Sequence, residues 1–269
     1  LEFFGVPVAY TPYFFHPDPT VKRKSGFLLP SYGTDSELGV LVEVPYYFNI
    51  APDKDATFRP LFTGEKSVVV LAGEYRQQFV HGTLNVSGSG TISDVPQSGQ
   101  EVRGHFFSKT RFDLGPTWRG GADIALTSDD TYLRRYRFPT RDPLVNHLFV
   151  EGFRGRSYAQ ANAYHFRGLR ESDDQGELPI AFPILDYNFV GEPNRLGGRW
   201  SLDANLTALT RTSGADSRRL SLKTGWELPH IARSGGVYNL YLSLQTDTYW
   251  VNDVQEAGKV TGQLSSGLT

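Results

Sequence analysis

Apolar and polar residues alternate with a period of two along most of this chain. From Leu38 the even positions read Leu38, Val40, Val42, Val44, Tyr46, Phe48 and Ile50. Leu84, Val86 and Ile92 oppose Thr83, Asn85 and Thr91, and Trp118, Ala122, Ile124 and Leu126 oppose Thr117, Arg119 and Asp123. Three later stretches follow the same rule. They run from Trp200 to Ala208 against Arg199, Asp203, Asn205 and Thr207, from Leu220 to Leu228 against Arg219, Lys223 and Glu227, and from Tyr238 to Leu244 against Asn239 and Ser243. Successive side chains of a strand point to opposite sides of the sheet. Each stretch is therefore a strand with one apolar and one strongly polar face. Helical periodicity is nearly absent. The pattern predicts an all-β, antiparallel up-and-down meander of about thirteen strands. They lie near 25–31, 37–49, 56–63, 67–80, 83–92, 102–113, 117–127, 147–153, 156–168, 180–191, 198–211, 217–229 and 236–250.

Two architectures bury such faces. A soluble, carbohydrate-binding β-sandwich would turn the apolar faces toward a second sheet. A membrane barrel would turn them to lipid. Three features favour the barrel. The stretches at 198–211, 217–229 and 236–250 exceed the usual soluble strand of about 5–6 residues. Aromatics sit near the ends of apolar faces (Trp118, Trp200, Tyr238, Tyr46, Trp226), as in interfacial girdles. Tight turns at 78–82, 114–116, 154–156 and 231–236 alternate with longer loops at 94–101, 127–146, 171–178 and 212–216, as expected when every hairpin crosses one membrane. Strand order discriminates: a nearest-neighbour meander marks a barrel, Greek-key crossings a sandwich.

Composition narrows the chemistry. The 269 residues carry a formal charge of -2, which gives no basic domain for nucleic acid. No cysteine is present, so disulfides and thiolate metal sites are excluded. Methionine is also absent, and the chain reads as a processed product or a piece of a longer one. No run of about 18 apolar residues predicts a transmembrane helix, whereas a transmembrane strand needs only about 9–11. The six histidines are scattered, with no helical metal pair, nucleophile elbow or phosphate loop. Asp53, Asp55, Asp173 and Asp174 could be read as cation ligands, but acidic residues at such places are far more often turn formers. Neither an enzyme, a cofactor nor a metal site is expected.

Pro30 and Pro45 fall within predicted strands, where proline has no N–H for the ladder. Pro45 reads as a bulge, or as a deliberate weakening beside a seam that opens. Before them, Tyr10, Tyr13, Phe14 and Phe15 lie among Pro7, Pro12 and Pro17. They read as the edge of a sandwich or the lip of an apolar groove. Lys22, Arg23 and Lys24 then form a basic spacer, usually solvated. The stretch Val6–Pro30 is thus expected to be a hinge between a water-side domain and the barrel.

The residues also carry a resemblance. Val6-Pro-Val-Ala-Tyr-Thr-Pro-Tyr-Phe, Lys22-Arg-Lys-Ser-Gly-Phe-Leu-Leu-Pro30 and Val44-Pro-Tyr-Tyr-Phe-Asn-Ile-Ala-Pro-Asp-Lys-Asp-Ala-Thr57 resemble the LPS-assembly LptD family (the OstA, or organic solvent tolerance, family). Glu74-Tyr-Arg76 and Ser128-Asp-Asp-Thr-Tyr-Leu133 match it too. The resemblance implies residues 1–20 as the end of a periplasmic β-jellyroll and linker, and 21–269 as the N-terminal part of a large outer-membrane barrel in a Gram-negative cell, with the chain start facing the periplasm. It implies insertion of lipopolysaccharide (LPS) into the outer leaflet, without covalent chemistry. Its implied partners are LPS, outer-membrane lipids, a plug lipoprotein like LptE, and a periplasmic Lpt bridge protein reached through the jellyroll. By the resemblance, Pro30 and Pro45 weaken a lateral gate. Tyr10, Tyr13, Phe14 and Phe15 would pass the acyl chains, and Arg119, Asp123, Asp203, Asn205, Arg219 and Lys223 would line the path of the sugars. A passive porin-like channel is the remaining alternative, and it leaves the jellyroll-like start and the proline pair unexplained.

Overall fold

The computed structural model describes residues 2–3, 6–7, 23–64, 68–95, 99–256 and 259–268, with side chains for 23–64, 68–93 and 99–252. Tyr10, Tyr13, Phe14, Phe15 and Lys22 lie outside the described residues. Two short strands, β1 (Glu2–Phe3) and β2 (Val6–Pro7), pair only with each other. Everything else belongs to one 16-stranded antiparallel sheet. Its first strands are β3 (Gly26–Phe27), β4 (Ser31–Asp35), β5 (Gly39–Glu43), β6 (Tyr46–Ala51) and β7 (Lys54–Thr63). Four longer strands follow: β8 (Val69–Phe79), β9 (Gly82–Val95), β10 (Gly99–Asp113) and β11 (Trp118–Thr127). A single helical turn, α1 (Tyr132–Arg135), precedes β12 (Leu144–Arg154), β13 (Ser157–Arg167), β14 (Ile180–Val190) and β15 (Arg199–Thr210). The sheet ends with β16 (Asp216–Ile231), β17 (Val237–Glu256) and β18 (Lys259–Leu268).

From β7 to β18 each strand pairs with its sequence neighbours. This is the meander, with no Greek-key crossing among the described residues. It favours a barrel wall over a sandwich. β3 with β4, and β5 with β6, each make one broken pass of the chain, because β7 pairs with both β5 and β6. Counted that way, the predicted thirteen passes are all present. One more, β18, was not predicted.

The alternation appears as two faces of very different character. One presents exposed apolar side chains, among them Leu71 (52%), Ile92 (63%), Val102 (78%) and Leu242 (61%). A face so apolar and so open needs lipid or protein against it. The other face is crossed by ion pairs between neighbouring strands: Asp55–Arg76 (2.8 Å), Arg111–Asp123 (2.7 Å), Arg199–Glu227 and Arg219–Asp247 (2.8 Å). Most of their partners are partly exposed, where such a pair contributes only about 0–1 kcal/mol. Their larger effect is on register, since a one-residue slip would send every charge to the apolar face. Leu38 departs from the predicted alternation. It is buried in the hydrophobic cluster on the polar face, because it belongs to the β4–β5 turn, where the period of two lapses.

Candidate functional site

Two features of the polar face and its edge stand out, a broken seam and a folded cap. The seam begins at the sheet edge. β3 pairs only with β6, and β4 only with β5. Their other side has no strand partner among the described residues. Between the register pairs Phe27↔Tyr46 and Ser31↔Glu43, three residues (Leu28–Pro30) face two (Val44–Pro45). The mismatch is a bulge. It places Pro30 and Pro45 in the gaps of two adjacent strands. The Leu28 N–H donates to the Pro45 carbonyl at 2.9 Å. Pro45 has no N–H with which to return the bond.

A third proline extends the defect. Val44 lies opposite Pro60 of β7, and its N–H donates to the Pro60 carbonyl at 3.3 Å. Pro60 returns nothing. Sequence reasoning passed over Pro60, although it stands inside the predicted strand 56–63. Each lost ladder bond removes about 0.5–1.5 kcal/mol of net stability. The first two seams of the sheet are therefore weaker than the uninterrupted β9–β10 ladder. Exposed side chains crowd this edge: Phe27 (75%), Leu29 (90%) and Tyr32 (90%).

The basic spacer is anchored at the short-turn end. Arg23 donates to the Tyr47 hydroxyl at 2.9 Å and to the Pro52 carbonyl at 3.2 Å, and forms an ion pair with Asp55. Asp55, read as a turn former, is instead a buried strand residue holding both Arg23 and Arg76. Asp173 and Asp174 do cap turns, accepting from the Arg170 and Gly176 N–H groups.

The cap is the 128–143 connection, which folds back onto the polar face. Asp129 organises it. Its carboxylate takes two hydrogen bonds from Arg103 (2.8 and 2.6 Å) and accepts from the backbone N–H groups of Thr131 and Tyr132, starting α1. Burial alone would raise the Asp129 carboxyl. Hydrogen bonds from Arg103, Thr131 and Ser128 outweigh it and hold the group well below the ordinary carboxylate range. Tyr132 is fully buried. Its hydroxyl meets Ser89 Oγ at 2.7 Å, and Ser89 Oγ meets His105 Nδ1 at 2.6 Å. Burial pushes the Tyr132 phenol up to about 12. Leu133, Tyr136, Leu38, Leu41, Val70, Leu144 and Leu169 complete the hydrophobic cluster of buried residues.

Two residues past the end of α1 stands Arg137, the one non-glycine residue with positive φ (58°) among those described. This left-handed turn carries its guanidinium to the first hairpin. There it donates to the Thr34 carbonyl (3.0 Å) and to Asp35 (2.7 Å). Together with Leu38 and Leu41, this contact ties the edge hairpin to the cap.

The predicted sugar-path residues all sit on the polar face, in two groups. Arg119 pairs with Glu151, and Asp123 with Arg111. Asp203 accepts from Asn188, Asn205 donates to Asp186, and Arg219 pairs with Asp247. Lys223 lies opposite Asp203 in the register. These side chains form a wetted ladder without converging on a point.

A long meander with one apolar and one charged face, aromatics near strand ends and a loop folded onto the polar side is the wall of a transmembrane β-barrel. Residues 101–269 match the family model LptD, described as LPS transport system D. The LPS-assembly protein LptD of Idiomarina loihiensis is 49% identical over 219 residues, covering 80% of this chain and 26% of the relative. That of Nitrosococcus oceani is 34% identical over 217 residues, 71% of this chain and 28% of the relative. That of Pseudomonas fluorescens is 28% identical over 271 residues, 83% of this chain and 28% of the relative. The chain belongs to the LptD family, and it spans about a quarter of the length of these relatives.

Proposed function

We propose that this chain forms the first part of an outer-membrane translocon that inserts LPS into the outer leaflet, with the acyl part leaving sideways at the β3–β4 edge. The observation that carries this reading is the one-sided edge weakened by Pro30, Pro45 and Pro60. A lipid with large sugars needs an apolar exit joined to a polar path. The exposed edge residues supply the first, and the polar face with its ion pairs supplies the second. The role is transport, without covalent chemistry.

Arg23 brings the chain into the sheet at the short-turn end. This supports a start that faces the periplasm, with residues 1–20 closing a jellyroll that receives LPS from a periplasmic bridge protein, and 21–269 forming barrel wall. Tyr10, Tyr13, Phe14 and Phe15 would lead acyl chains to the edge. Arg119, Asp123, Asp203, Asn205, Arg219 and Lys223 would face the sugars or an LptE-like plug lipoprotein. The cap, folded over the polar face, favours this reading over a passive porin-like channel.

Shutting off synthesis of the full-length protein in its host is expected to deplete LPS from the cell surface while total LPS persists. Unchanged surface LPS after depletion would overturn the proposal.

A further inference from the structure

At the short-turn end some arginines are ion-paired, as Arg23 and Arg119 are, and four on the turns themselves are not. Eleven of the described arginines make ion pairs, from Arg23 to Arg219. Arg154 and Arg156 flank Gly155 in the β12–β13 turn, and Arg195 and Arg233 occupy the next two turns at the same end. None of these four has an ion-pair or hydrogen-bond partner among the described residues. Four unneutralised guanidinium groups on three consecutive turns make a positive rim. Keeping them unpaired at the edge of an apolar wall favours an external anion.

Arg154 and Arg156 line a cavity of about 860 Å³. Its floor is a cross-strand row on the apolar face: Trp118, Gly152, Ala159 and Tyr187 occupy register partners on β11, β12, β13 and β14. Two of the smallest side chains thus lie between two aromatics. The Trp118 ring lies over Gly152, where an added Cβ would come within 2.7 Å of it. Any larger residue at 152 would displace the indole. Phe153, Tyr158 and Phe189 add further aromatic walls, and Glu192 is the one carboxylate lining the cavity. Aromatic rings with an apolar body and a polar tip suit the level of lipid headgroups.

We propose that this cavity is a binding site for an anionic phospholipid. Arg154 and Arg156 would hold the phosphate, Trp118 and Tyr187 would bracket the glycerol region, and the acyl chains would run along the apolar face. Arg195 and Arg233 would extend the positive rim to neighbouring headgroups. Glu192, in the β14–β15 turn, lies across the cavity from the β12–β13 turn, so the phosphate belongs beside Arg154 and Arg156. The inference rests on the apolar face meeting lipid. It concerns resident lipid of the leaflet at the short-turn end, not the transported LPS.

The test uses the full-length protein in nanodiscs containing phosphatidylcholine with phosphatidylglycerol, with bound lipids counted by native mass spectrometry after partial delipidation. The protein is expected to retain phosphatidylglycerol selectively. Arg154→Gln with Arg156→Gln is expected to lose about tenfold or more of that preference, since each cation near a membrane surface contributes about 1 kcal/mol toward anionic lipid. Arg154→Lys with Arg156→Lys keeps the charge and is expected to keep most of the preference, which separates a headgroup site from a folding defect. Equal retention of both lipids by the unmodified protein, or a preference unchanged by the glutamine pair, would overturn the assignment. So would displacement of the lipid by inorganic phosphate, which would mark a bare anion site, or by LPS, which would mark a substrate site. Failure to enter nanodiscs at all would instead count against the barrel-wall reading.

Discussion

Replacing Pro30 and Pro45 together by alanine in the full-length protein is expected to lower surface LPS and raise detergent sensitivity. Pro45→Ala returns an N–H toward the Leu28 carbonyl, opposite the bond already made at 2.9 Å. Pro30→Ala removes the fixed φ that helps hold the bulge. If the two changes add 1–2 kcal/mol to the closed seam, the open population falls by about 5- to 30-fold. Adding Pro60→Ala returns an N–H toward Val44 and is expected to deepen the defect, because it tightens the second seam as well. Surface LPS and detergent sensitivity that both match the parent protein would contradict the gate.

Tyr132→Ala is expected to carry the largest stability cost. The side chain is fully buried, bonds Ser89 and packs with Tyr136 and Phe138. Removing a large buried aromatic costs about 3–5 kcal/mol, enough to release the cap and, with it, the Arg137 contact to the edge hairpin. Limited proteolysis is expected to show new cuts within 128–143 and a lower unfolding temperature. Tyr132→Phe removes one hydroxyl, leaves the Ser89–His105 bond in place and costs about 1 kcal/mol. Its cap is expected to stay protected. If Tyr132→Ala left 128–143 as resistant as the parent, the hydrophobic cluster would not be what holds the cap.

The strands were legible because alternation is a local signal. A barrel strand shows its two environments residue by residue, and the predicted passes from 37–49 to 236–250 are all present. What the alternation could not show was where a strand breaks. The gaps at Leu28–Pro30 and Val44–Pro45 depend on a register mismatch between two strands, which neither strand reveals alone. The prolines marked the place but not the geometry, and Pro60 was missed because its partner, Val44, is visible only through pairing. β18 fell outside the count because its stretch, Lys259–Leu268, is mostly polar and small. The cap was the least legible part. Ser128–Leu133 was singled out as a motif, but Arg103, Ser89 and His105, which hold it, come from β9 and β10, about 25–45 residues earlier. Long-range packing of a loop onto a sheet leaves no period to read.

The candidate site divides in the same way. The residues expected to face sugars share one face, as a period of two requires. Their partners, such as Glu151 for Arg119 and Asp247 for Arg219, follow from register and not from spacing. Arg23, expected to be a solvated spacer residue, is a strand anchor because buried Asp55 lies within its reach.

The central claim is that LPS leaves at the β3–β4 edge. It is tested most directly by placing a photo-crosslinking amino acid at Leu29 or Tyr32, both 90% exposed, in the full-length protein in living cells. Leu148, an apolar residue 52% exposed on β12 and paired on both sides within the sheet, is the control. LPS adducts are expected at Leu29 and Tyr32 well above those at Leu148, falling when Pro30 and Pro45 are both alanine. Equal adducts at all three positions, or adducts at the edge that persist unchanged in the alanine pair, would contradict it.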